Sequence, residues 1–151
     1  MSMGQPEIEI LKNLVLVRLG QVLVNEYYKA GKFPVPIHLA IGHESIAVAV
    51  DYVMKKDDYL VLSHRNIHYH LAREKDVIPE IKEYLLESDG LAKGMLGSMN
   101  LLNPQLQIPY TSNVLGNNLA VGTGLALGRR VNKGGVTIVV TGDGAMEEGI
   151  F

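Results

Sequence analysis

The sequence TGDGAMEEGIF at residues 141–151 follows directly on VTIVV at residues 136–140. An apolar run rich in β-branched residues predicts a strand, here from Val136 to Thr141, and strands of this character are buried on both faces of parallel sheets. Two acidic residues, Glu147 and Glu148, suit the first turn of a helix after the strand. The stretch therefore predicts a strand, a sharp turn and a helix.

Asp143 lies between two glycines at this turn. Gly142 and Gly144 let the backbone turn tightly and bring its N–H groups close to a ligand, and the positive end of a following helix attracts phosphate. A carboxylate beside a phosphate site is a suitable magnesium ligand, because magnesium takes one or two carboxylates together with phosphate oxygens. On these residues alone, a plain strand-to-helix turn with Asp143 as the helix cap is the alternative.

The rest of the chain alternates between helical and strand patterns. Apolar residues spaced by three and four indicate helices, and short apolar runs indicate strands. The predicted elements are a helix from Pro6 that ends before Gly31, a helix from about Glu44 to Lys55, a buried strand at residues 59–63, a helix from Ile78 to Leu86, a long binding or lid loop at residues 88–113, and a helix rich in small residues after it. This order predicts an α/β fold, a parallel sheet flanked by helices, with ligands beyond the carboxyl ends of the strands.

The composition excludes several classes of protein. The chain has 151 residues, with 14 Lys and Arg against 16 Asp and Glu, and no cysteine. This balance gives no basic surface for nucleic acid, and the lack of cysteine excludes a disulfide framework and thiolate metal sites. The sequence shows neither a signal peptide nor an apolar run of about 18 residues, which argues against a membrane protein. We expect one globular domain in the cytoplasm, a reducing compartment.

Residues 63–70, SHRNIHYH, place an arginine and three histidines just past a predicted strand. Arg65 has the forked donor geometry that phosphate binding uses, and His64 can support it. His64 and His68 are four residues apart and would share one helix face, as zinc pairs do, but no third ligand stands at a telling distance. A solvated helix start is the plainer alternative for this segment.

Small residues recur every four positions along the helix that precedes the last strand. They are Gly116, Ala120, Gly124 and Gly128. They form one smooth face suited to close approach by a sheet or a second helix, so the face predicts either buried packing or a subunit contact. Gly122-Thr123-Gly124 mimics a dinucleotide-binding fingerprint, but the segment before it reads as a loop and not as the strand that the fingerprint requires.

Five blocks of the sequence, in order and spacing, resemble one family: GHES, HRNIHYHLAR, AKGMLGSMN, NVLGNNLAVGTGLALGRR and TIVVTGDGAMEEGIF. The family is the alpha subunit of the decarboxylating component of 2-oxo acid dehydrogenases, of the pyruvate and acetoin dehydrogenase type, which uses thiamine diphosphate and magnesium. The resemblance covers about residues 38–151. It implies that residues 1–151 are the amino-terminal part of a thiamine-diphosphate-binding domain, incomplete at its C-terminus, with residues 1–37 as an N-terminal helix and linker.

The resemblance also implies roles for individual residues. Asp143 would bind the magnesium ion that holds the cofactor diphosphate. The other implied contacts are His64 and Arg65 at the diphosphate oxygens, Asn113 and Leu115 through backbone groups at the aminopyrimidine ring, and Gly142, Gly144 and Ala145 around the diphosphate. In the family the glutamate that activates the ring comes from a partner beta subunit, so Glu44 is interpreted as structural. The implied partners are this beta subunit, in a hetero- or homo-oligomer, and a small-molecule substrate.

The sequence departs from the family at two histidine positions. Ile67 stands where the family has a histidine, with His68 one residue later, and Asn100 ends the GSMN block where the family has another. We interpret His68 as the candidate catalytic acid or base, with a pKa near neutrality. The implied activity is decarboxylation of a 2-oxo acid, or cleavage of acetoin, with transfer of the acyl unit to an acceptor. A transketolase-like two-carbon transfer subunit and a non-catalytic assembly subunit are the alternatives.

The family's thiamine motif continues past Gly-Asp-Gly to an Asn-Asn pair that completes the magnesium site. Asn117-Asn118 precedes Gly-Asp-Gly in this sequence and is not that pair. We therefore expect the 151 residues alone to bind thiamine diphosphate weakly or not at all. They are expected to act within a longer polypeptide, or beside partner chains that cover the open edge of the sheet.

Overall fold

A computed structural model describes residues 4–132 and 134–150 of the protein. Its elements are α1 (Gln5–Lys29), α2 (Glu44–Val53), β1 (Tyr59–Ser63), α3 (Ile67–Glu74), α4 (Ile78–Tyr84), β2 (Tyr110–Ser112), α5 (Asn117–Val131) and β3 (Thr137–Val139), with short 3-10 turns at Pro104–Leu106 and Asp143–Glu147. None of the helices in these ranges combines the length and apolarity needed to span a bilayer.

The three strands form one parallel sheet in the order β2-β1-β3. The central strand β1 is fully buried, with Leu60, Val61 and Leu62 at 0% exposure. The α/β fold predicted from the sequence, a parallel sheet flanked by helices, is confirmed. Because parallel strands point the same way, the carboxyl ends of all three meet at one edge of the sheet.

The core lies between the sheet and the helices α1 to α4. Its larger members are Val17, Val24, Phe33, Leu60, Leu62, Ile67, Leu71, Ile81, Tyr84 and Ile108. Helix α1 packs on α2 and α3, and its buried face carries Asn13 and Gln21 beside the valines. The described part of residues 1–37 therefore supplies part of the core. The division of the chain into residues 1–37, as an N-terminal helix and linker, and the rest stays a prediction.

Several predicted bounds differ from the structure. Helix α2 ends at Val53 and α4 at Tyr84, both earlier than predicted. Strand β3 covers only Thr137–Val139 and is partly exposed, because it lies at the edge of the three-stranded sheet. The segment after Gly142 forms a 3-10 turn, and the expected α-helix is not found among the described residues. Strand β2 was not predicted. Helix α3 begins where the sequence offered a solvated helix start as an alternative, but its residues 67–72 are buried.

Helix α5 meets the sheet through a glycine outside the predicted smooth face. A Cβ atom added at Gly122 would lie 2.3 Å from Cγ2 of Val139, so the helix sits close against β3 at this point. A Cβ atom at Gly124 or Gly128 would meet nothing within 4 Å. Buried packing is thus wrong for Gly124 and Gly128, whereas a Cβ atom at Gly116 would lie 2.3 Å from Cγ2 of Ile150. A subunit contact stays a prediction. Gly122-Thr123-Gly124 lies in the middle of α5, so rejecting it as a fingerprint is confirmed.

The segment after α4 is tied to a single buried carboxylate. Glu83 is fully buried, and its two oxygens accept hydrogen bonds from four backbone N–H groups, those of Ala92, Gly94, Leu96 and Gly97, at 2.8–3.2 Å. A Cβ atom at Gly90 would lie 2.7 Å from the Glu83 backbone, so only glycine allows this approach. We call residues 90–97 the anchored loop.

Further bonds attach the chain after the anchored loop to the segments beside the sheet edge. The Ser98 hydroxyl donates to the carbonyl of Pro36 at 2.6 Å. The side-chain amide of Asn66 donates to the carbonyl of Met99 at 3.4 Å and to that of Ser63 at 3.2 Å. The stretch predicted as a binding or lid loop at residues 88–113 is therefore hydrogen-bonded to the segment before α2 and to the segment after β1.

Candidate active site

A cavity of about 760 Å³ lies at the carboxyl edge of the sheet. Four segments line it: residues 39–46 before and within α2, residues 63–69 after β1, residues 114–118 after β2, and residues 140–145 after β3. Every strand of the sheet thus contributes the residues that follow its carboxyl end, as expected for ligand sites of parallel α/β folds. Within the described chain, residues 88–113 contribute nothing to its lining.

Most of the residues selected from the sequence meet in this cavity. Its lining includes His64, Arg65, His68, Leu115, Gly142, Asp143, Gly144 and Ala145. Asn113 is the exception, because the Val114 N–H turns back to the Ser112 hydroxyl at 3.1 Å and the turn presents Val114 and Leu115 to the cavity. Asn113 itself is exposed. The roles of all these residues in binding and catalysis stay predictions.

The Gly-Asp-Gly turn leaves open space above its backbone. A Cβ atom added at Gly142 or Gly144 would meet nothing within 4 Å, so a ligand can approach the main chain at both positions. Asp143 is exposed on the cavity wall. The Ala145 N–H, expected to point at a diphosphate, donates instead to the carbonyl of Gly142 at 3.1 Å. The turn therefore offers one carboxylate and an accessible glycine backbone.

Two side chains next to this turn were not selected from the sequence. The Thr141 hydroxyl is buried without a hydrogen-bond partner, although Thr141 lines the cavity. Asn118 is buried, and its side-chain amide donates to the carbonyl of Val140 at 2.5 Å, which ties the start of α5 to the end of β3. Buried polar atoms are normally satisfied, so the unpaired hydroxyl indicates a place for a polar ligand atom.

Arg65 connects two walls of the cavity. Its Nη1 donates to the carbonyl of Leu39 at 3.0 Å, and its backbone has a φ of 61°, a left-handed conformation that is uncommon for a residue other than glycine. The side chain is otherwise exposed. Burial, with the neighbouring Arg65 charge second, lowers the pKa of His64 below its ordinary value. We call this part of the wall, whose positive charge comes from Arg65, the cationic corner; it is the part of the cavity best suited to an anion.

His68 lies at the inner end of the cavity and is only 4% exposed. Its Nδ1 atom has no hydrogen-bond partner, and its ring stands 6.2 Å from that of His43, centre to centre. Burial lowers the pKa of His68 to about 4. The near-neutral pKa expected from the sequence was wrong, because His68 lies on the buried side of α3. At neutral pH His68 is therefore an uncharged imidazole with a free ring nitrogen.

Glu44 shapes the wall formed by residues 39–43. Arg18 donates to both carboxylate oxygens, at 2.7 and 2.8 Å, and the Gly42 N–H donates at 3.1 Å. Gln21 links the carboxylate to the wall, since its amide donates to Glu44 at 3.1 Å and accepts from the Ala40 N–H at 2.8 Å. The interpretation of Glu44 as structural is confirmed by these bonds.

The Glu44 network predicts a loss of stability in acid. The hydrogen bonds from Arg18 lower the pKa of Glu44 from its ordinary 4.5 to about 2. The unfolded chain therefore takes up this proton first, and the stabilisation present above pH 4.5 is lost as the pH falls toward 2. We expect this group to contribute on the order of 2 kcal/mol, less than the full shift implies because Arg18 is half exposed. Urea unfolding at a series of pH values measures it.

Glu44→Gln should flatten the acid limb of this stability curve. The matched control is Glu26→Gln, which removes an exposed carboxylate paired with Lys29 and should leave the limb unchanged. An unaltered acid limb in Glu44→Gln would show that the network does not carry the effect.

The cavity-lining residues missed from the sequence include His43, Asn118 and Thr141. His43 stands beside Glu44 in the GHES block, and Asn118 stands beside Asn117, and neither position marks the residue as part of a site. No sequence pattern singles out Thr141, because its hydroxyl is isolated only by the packing around β3. Among residues 4–132 and 134–150, no group of three or more His, Asp or Glu side chains is placed to hold a metal ion. A metal at Asp143 would thus need oxygens from its ligand as well.

Comparison with known proteins gives one family. The family described as dehydrogenase E1 component matches residues 12–151. The chain is 31% identical over 139 residues to the pyruvate dehydrogenase E1 component subunit alpha, mitochondrial, of Chaetomium thermophilum, covering 91% of this chain and 33% of that protein. It is 30% identical over 147 residues to the pyruvate dehydrogenase E1 component subunit alpha of Rickettsia bellii, covering 94% of this chain and 44% of that protein.

A plant protein extends the similarity over nearly the whole chain. The pyruvate dehydrogenase E1 component subunit alpha-1, mitochondrial, of Arabidopsis thaliana is 25% identical over 149 residues, which is 98% of this chain and 38% of that protein. The chain spans less than half the length of each of these three relatives.

Proposed function

The chain belongs to the dehydrogenase E1 component family, and on that premise we propose that it is the amino-terminal part of an alpha subunit that binds thiamine diphosphate and decarboxylates a 2-oxo acid, or cleaves acetoin. The acyl unit then passes to an acceptor. One observation carries the proposal: a single cavity joins the open Gly142-Asp143-Gly144 turn to the cationic corner at His64 and Arg65. A diphosphate needs both a metal-binding carboxylate and cationic donors.

The residues in the cavity fit this cofactor. The open space at Gly142 and Gly144 admits a diphosphate close to the backbone, and Asp143 would hold the magnesium ion that bridges to it. Arg65 and His64 would donate to the remaining diphosphate oxygens. The Thr141 hydroxyl lacks a partner in the protein and would gain one from the cofactor. Leu115 would flank the aminopyrimidine ring, and a backbone contact from Asn113, which lies outside the cavity lining, stays a prediction.

Bound thiamine diphosphate supplies an electron sink for the pair left when carbon dioxide departs. The protein's part is to position the reactants, exclude water and move protons. His68 is the candidate for the last task, because Nδ1 faces no protein partner and its pKa of about 4 keeps the imidazole neutral. A neutral imidazole accepts a proton from the reacting molecule and is a weaker acid–base catalyst than one with a near-neutral pKa.

A two-carbon transfer of the transketolase type is the second candidate reaction. Ile67 stands where the family has a histidine and is buried in the core, and Asn100 offers an amide where the family has another histidine. The loss of two family histidines is what favours this second candidate. A non-catalytic assembly subunit is the remaining candidate, and it requires no cofactor binding.

The proposed partner is a beta subunit that supplies the ring-activating glutamate, within a hetero- or homo-oligomer, in the cytoplasm. Glu44 cannot act for that glutamate, because Arg18, Gln21 and Gly42 already donate hydrogen bonds to its carboxylate. An exposed face on α5, with open space at Gly124 and Gly128, supports a subunit contact there.

Calorimetry tests the proposed function directly. The full-length protein, assembled with its partner subunit, is titrated with thiamine diphosphate in the presence of magnesium and again in the presence of a chelator. We expect stoichiometric heat that depends on magnesium, followed by release of carbon dioxide on addition of a 2-oxo acid. Absence of heat would contradict cofactor binding and favour a non-catalytic assembly subunit. Transfer of a two-carbon ketol unit without release of carbon dioxide would favour the transketolase-like reaction.

The same preparation carrying His68→Gln separates binding from catalysis. Glutamine keeps a polar side chain at this buried position, so cofactor affinity should equal that of the parent while turnover falls. Equal losses of affinity and turnover would assign His68 a structural role.

A further inference from the structure

His68 is poorly placed to exchange protons with bulk water by itself. Its side chain is only 4% exposed, and its Nδ1 atom is buried without a hydrogen-bond partner. The Glu44 carboxylate favours a positive charge on His68, but it is already paired with Arg18, and the neighbouring His70 opposes such a charge. Because a buried imidazolium is costly, a proton that His68 takes up must leave again through a group that water reaches.

Two of the five histidines are engaged outside the cavity lining. His70 is fully buried, and its Nε2 atom lies 3.2 Å from the carbonyl of Leu101. His38 has its Nδ1 atom 3.4 Å from the Ser98 hydroxyl, and that hydroxyl donates its own proton to the carbonyl of Pro36. Neither ring is therefore suited to take a proton from His68.

Of the two remaining histidines, His43 is the better proton acceptor. His64 lines the cavity, but burial and the adjacent Arg65 charge lower its pKa, so an additional proton is unfavourable there. His43 also lines the cavity and is exposed. Its ring stands 6.2 Å from that of His68, centre to centre, and at 84° to it. His43 is thus an exposed imidazole next to the buried one.

The backbone of His43 is fixed while its side chain is free. His43 is the N-cap residue of α2, but its side chain makes no capping hydrogen bond. Its N–H donates to the carbonyl of Ala40 at 3.1 Å, and its carbonyl accepts from the N–H of Ala47 at 3.5 Å. The imidazole therefore lines the cavity from a rigid position without serving the helix.

We propose that His43 and His68 form a proton relay, in which His43 passes to bulk water the proton that His68 takes from the reacting molecule. The relay rests on the proposed function. The proton moves from the reacting molecule to the His68 ring, through water in the cavity to the His43 ring, and then to solvent, so both rings end neutral as they began. The cavity of about 760 Å³ has room for the bridging water. Two positive rings would repel each other, so the pair passes one proton at a time.

The coupling of the two rings can be measured without cofactor. In the full-length, partner-assembled protein, deuterium exchange at the imidazole Cε1 position, followed by mass spectrometry over a pH series, reports the protonation of each histidine. A charge on His43 disfavours protonation of His68, so His43→Gln should raise the His68 midpoint by roughly 0.5 pH unit or more. The matched control is Ser45→Ala, an exposed residue of α2 outside the cavity lining, which should leave the midpoint in place. An unmoved midpoint in His43→Gln overturns the relay.

Turnover tests the proton route itself. His43→Ala should bind thiamine diphosphate with the affinity of the parent, while turnover falls at least ~10-fold. Imidazole added to the solution should restore part of the turnover, because water reaches position 43. The same addition should not rescue His68→Gln, whose site is buried. Ser45→Ala should turn over at the parental rate.

The outcomes separate the relay from the proposed function. A parent protein that binds no cofactor would overturn both. If the parent binds cofactor and turns over, three results overturn the relay alone: parental turnover in His43→Ala, a loss that imidazole does not restore, or equal losses of affinity and turnover, which would assign His43 a structural role.

Discussion

Asp143→Ala in the full-length, partner-assembled protein should abolish magnesium-dependent binding of thiamine diphosphate. On the proposed function, a bound diphosphate would carry charge that Arg65 alone does not neutralise, and a magnesium ion held by Asp143 would supply the rest. No other carboxylate from the described residues lines the cavity. Loss of this ligand should raise the dissociation constant roughly 100-fold or more, which is about 3 kcal/mol. Titration calorimetry with and without magnesium measures the change.

Glu147→Ala is the matched control for this experiment. Glu147 ends the same 3-10 turn as Asp143, also has an exposed carboxyl side chain, and lies outside the cavity lining. Its removal should leave cofactor affinity unchanged. Similar affinities for the Asp143→Ala protein and its parent would mean that the metal site has been assigned to the wrong residue.

Glu83→Gln should lower the free energy of unfolding by about 3–5 kcal/mol, the usual cost of breaking a buried charged network. The four N–H donors of the anchored loop converge on the two carboxylate oxygens at 2.8–3.2 Å. Glutamine keeps the volume but turns one acceptor into a donor that faces other donors. Two N–H groups then remain buried without a partner. Urea unfolding measures the loss of stability.

The neighbouring Glu80 provides the control, since it is buried to the same degree but contacts none of the anchored-loop amides. It accepts a hydrogen bond from the Tyr84 hydroxyl at 2.5 Å, and burial raises its pKa to about 8. It is therefore protonated at neutral pH, and Glu80→Gln should change stability by about 1 kcal/mol or less. Hydrogen exchange should accelerate at Ala92, Gly94, Leu96 and Gly97 only in Glu83→Gln. Unchanged exchange there would contradict the anchoring role.

The pKa of Glu80 also gives a distinct pH dependence. Because its folded-state pKa lies above the ordinary 4.5, the unfolded chain releases this proton first as the pH rises. Stability should fall from pH 4.5 toward pH 8, and Glu80→Gln should remove that fall.

The sequence predicted the elements whose signals are local. Pro6 and Gly31 bound α1, and the run at residues 59–63 is the central strand β1. Strand β2 was missed because it has only three residues, in a turn-rich stretch, and parallel pairing with β1 alone makes it a strand. The burial of helix α3 was missed because its buried residues include His68 and His70, and nothing local shows that two histidines will be buried.

In the candidate site, too, the sequence predicted what depends on local signals and not what depends on the folded loops. The residues that follow strands, such as Arg65 and Asp143, could be placed at the sheet edge because parallel strands bring their carboxyl ends together. The direction of each group within the cavity could not be predicted. The Ala145 N–H turned out to be used inside its own turn, and Asn113 lies outside the lining, because both depend on hydrogen bonds that form only in the folded loops.

The arrangement of the sheet has a consequence for synthesis of the protein. The central strand β1 is made before either neighbour, and its partners lie far along the chain: Val61 pairs with Tyr110, and Tyr59 with Thr137. The Asp58 carboxylate that joins the starts of β1 and β3 accepts from a backbone N–H 78 positions further on. During synthesis on the ribosome, β1 can pair with β2 first, and it pairs with β3 only after residue 139 has been made.

At about 5–20 residues per second, the wait for the second neighbour lasts roughly 4–16 seconds. During that time one edge of the most apolar strand in the nascent chain is unpaired, which is the condition that favours pairing with the wrong chain. Helices α1 to α4 are complete before β2 emerges and can cover one face of β1 meanwhile. Slowing translation after residue 112 should therefore prolong the interval in which the newborn protein depends on chaperones.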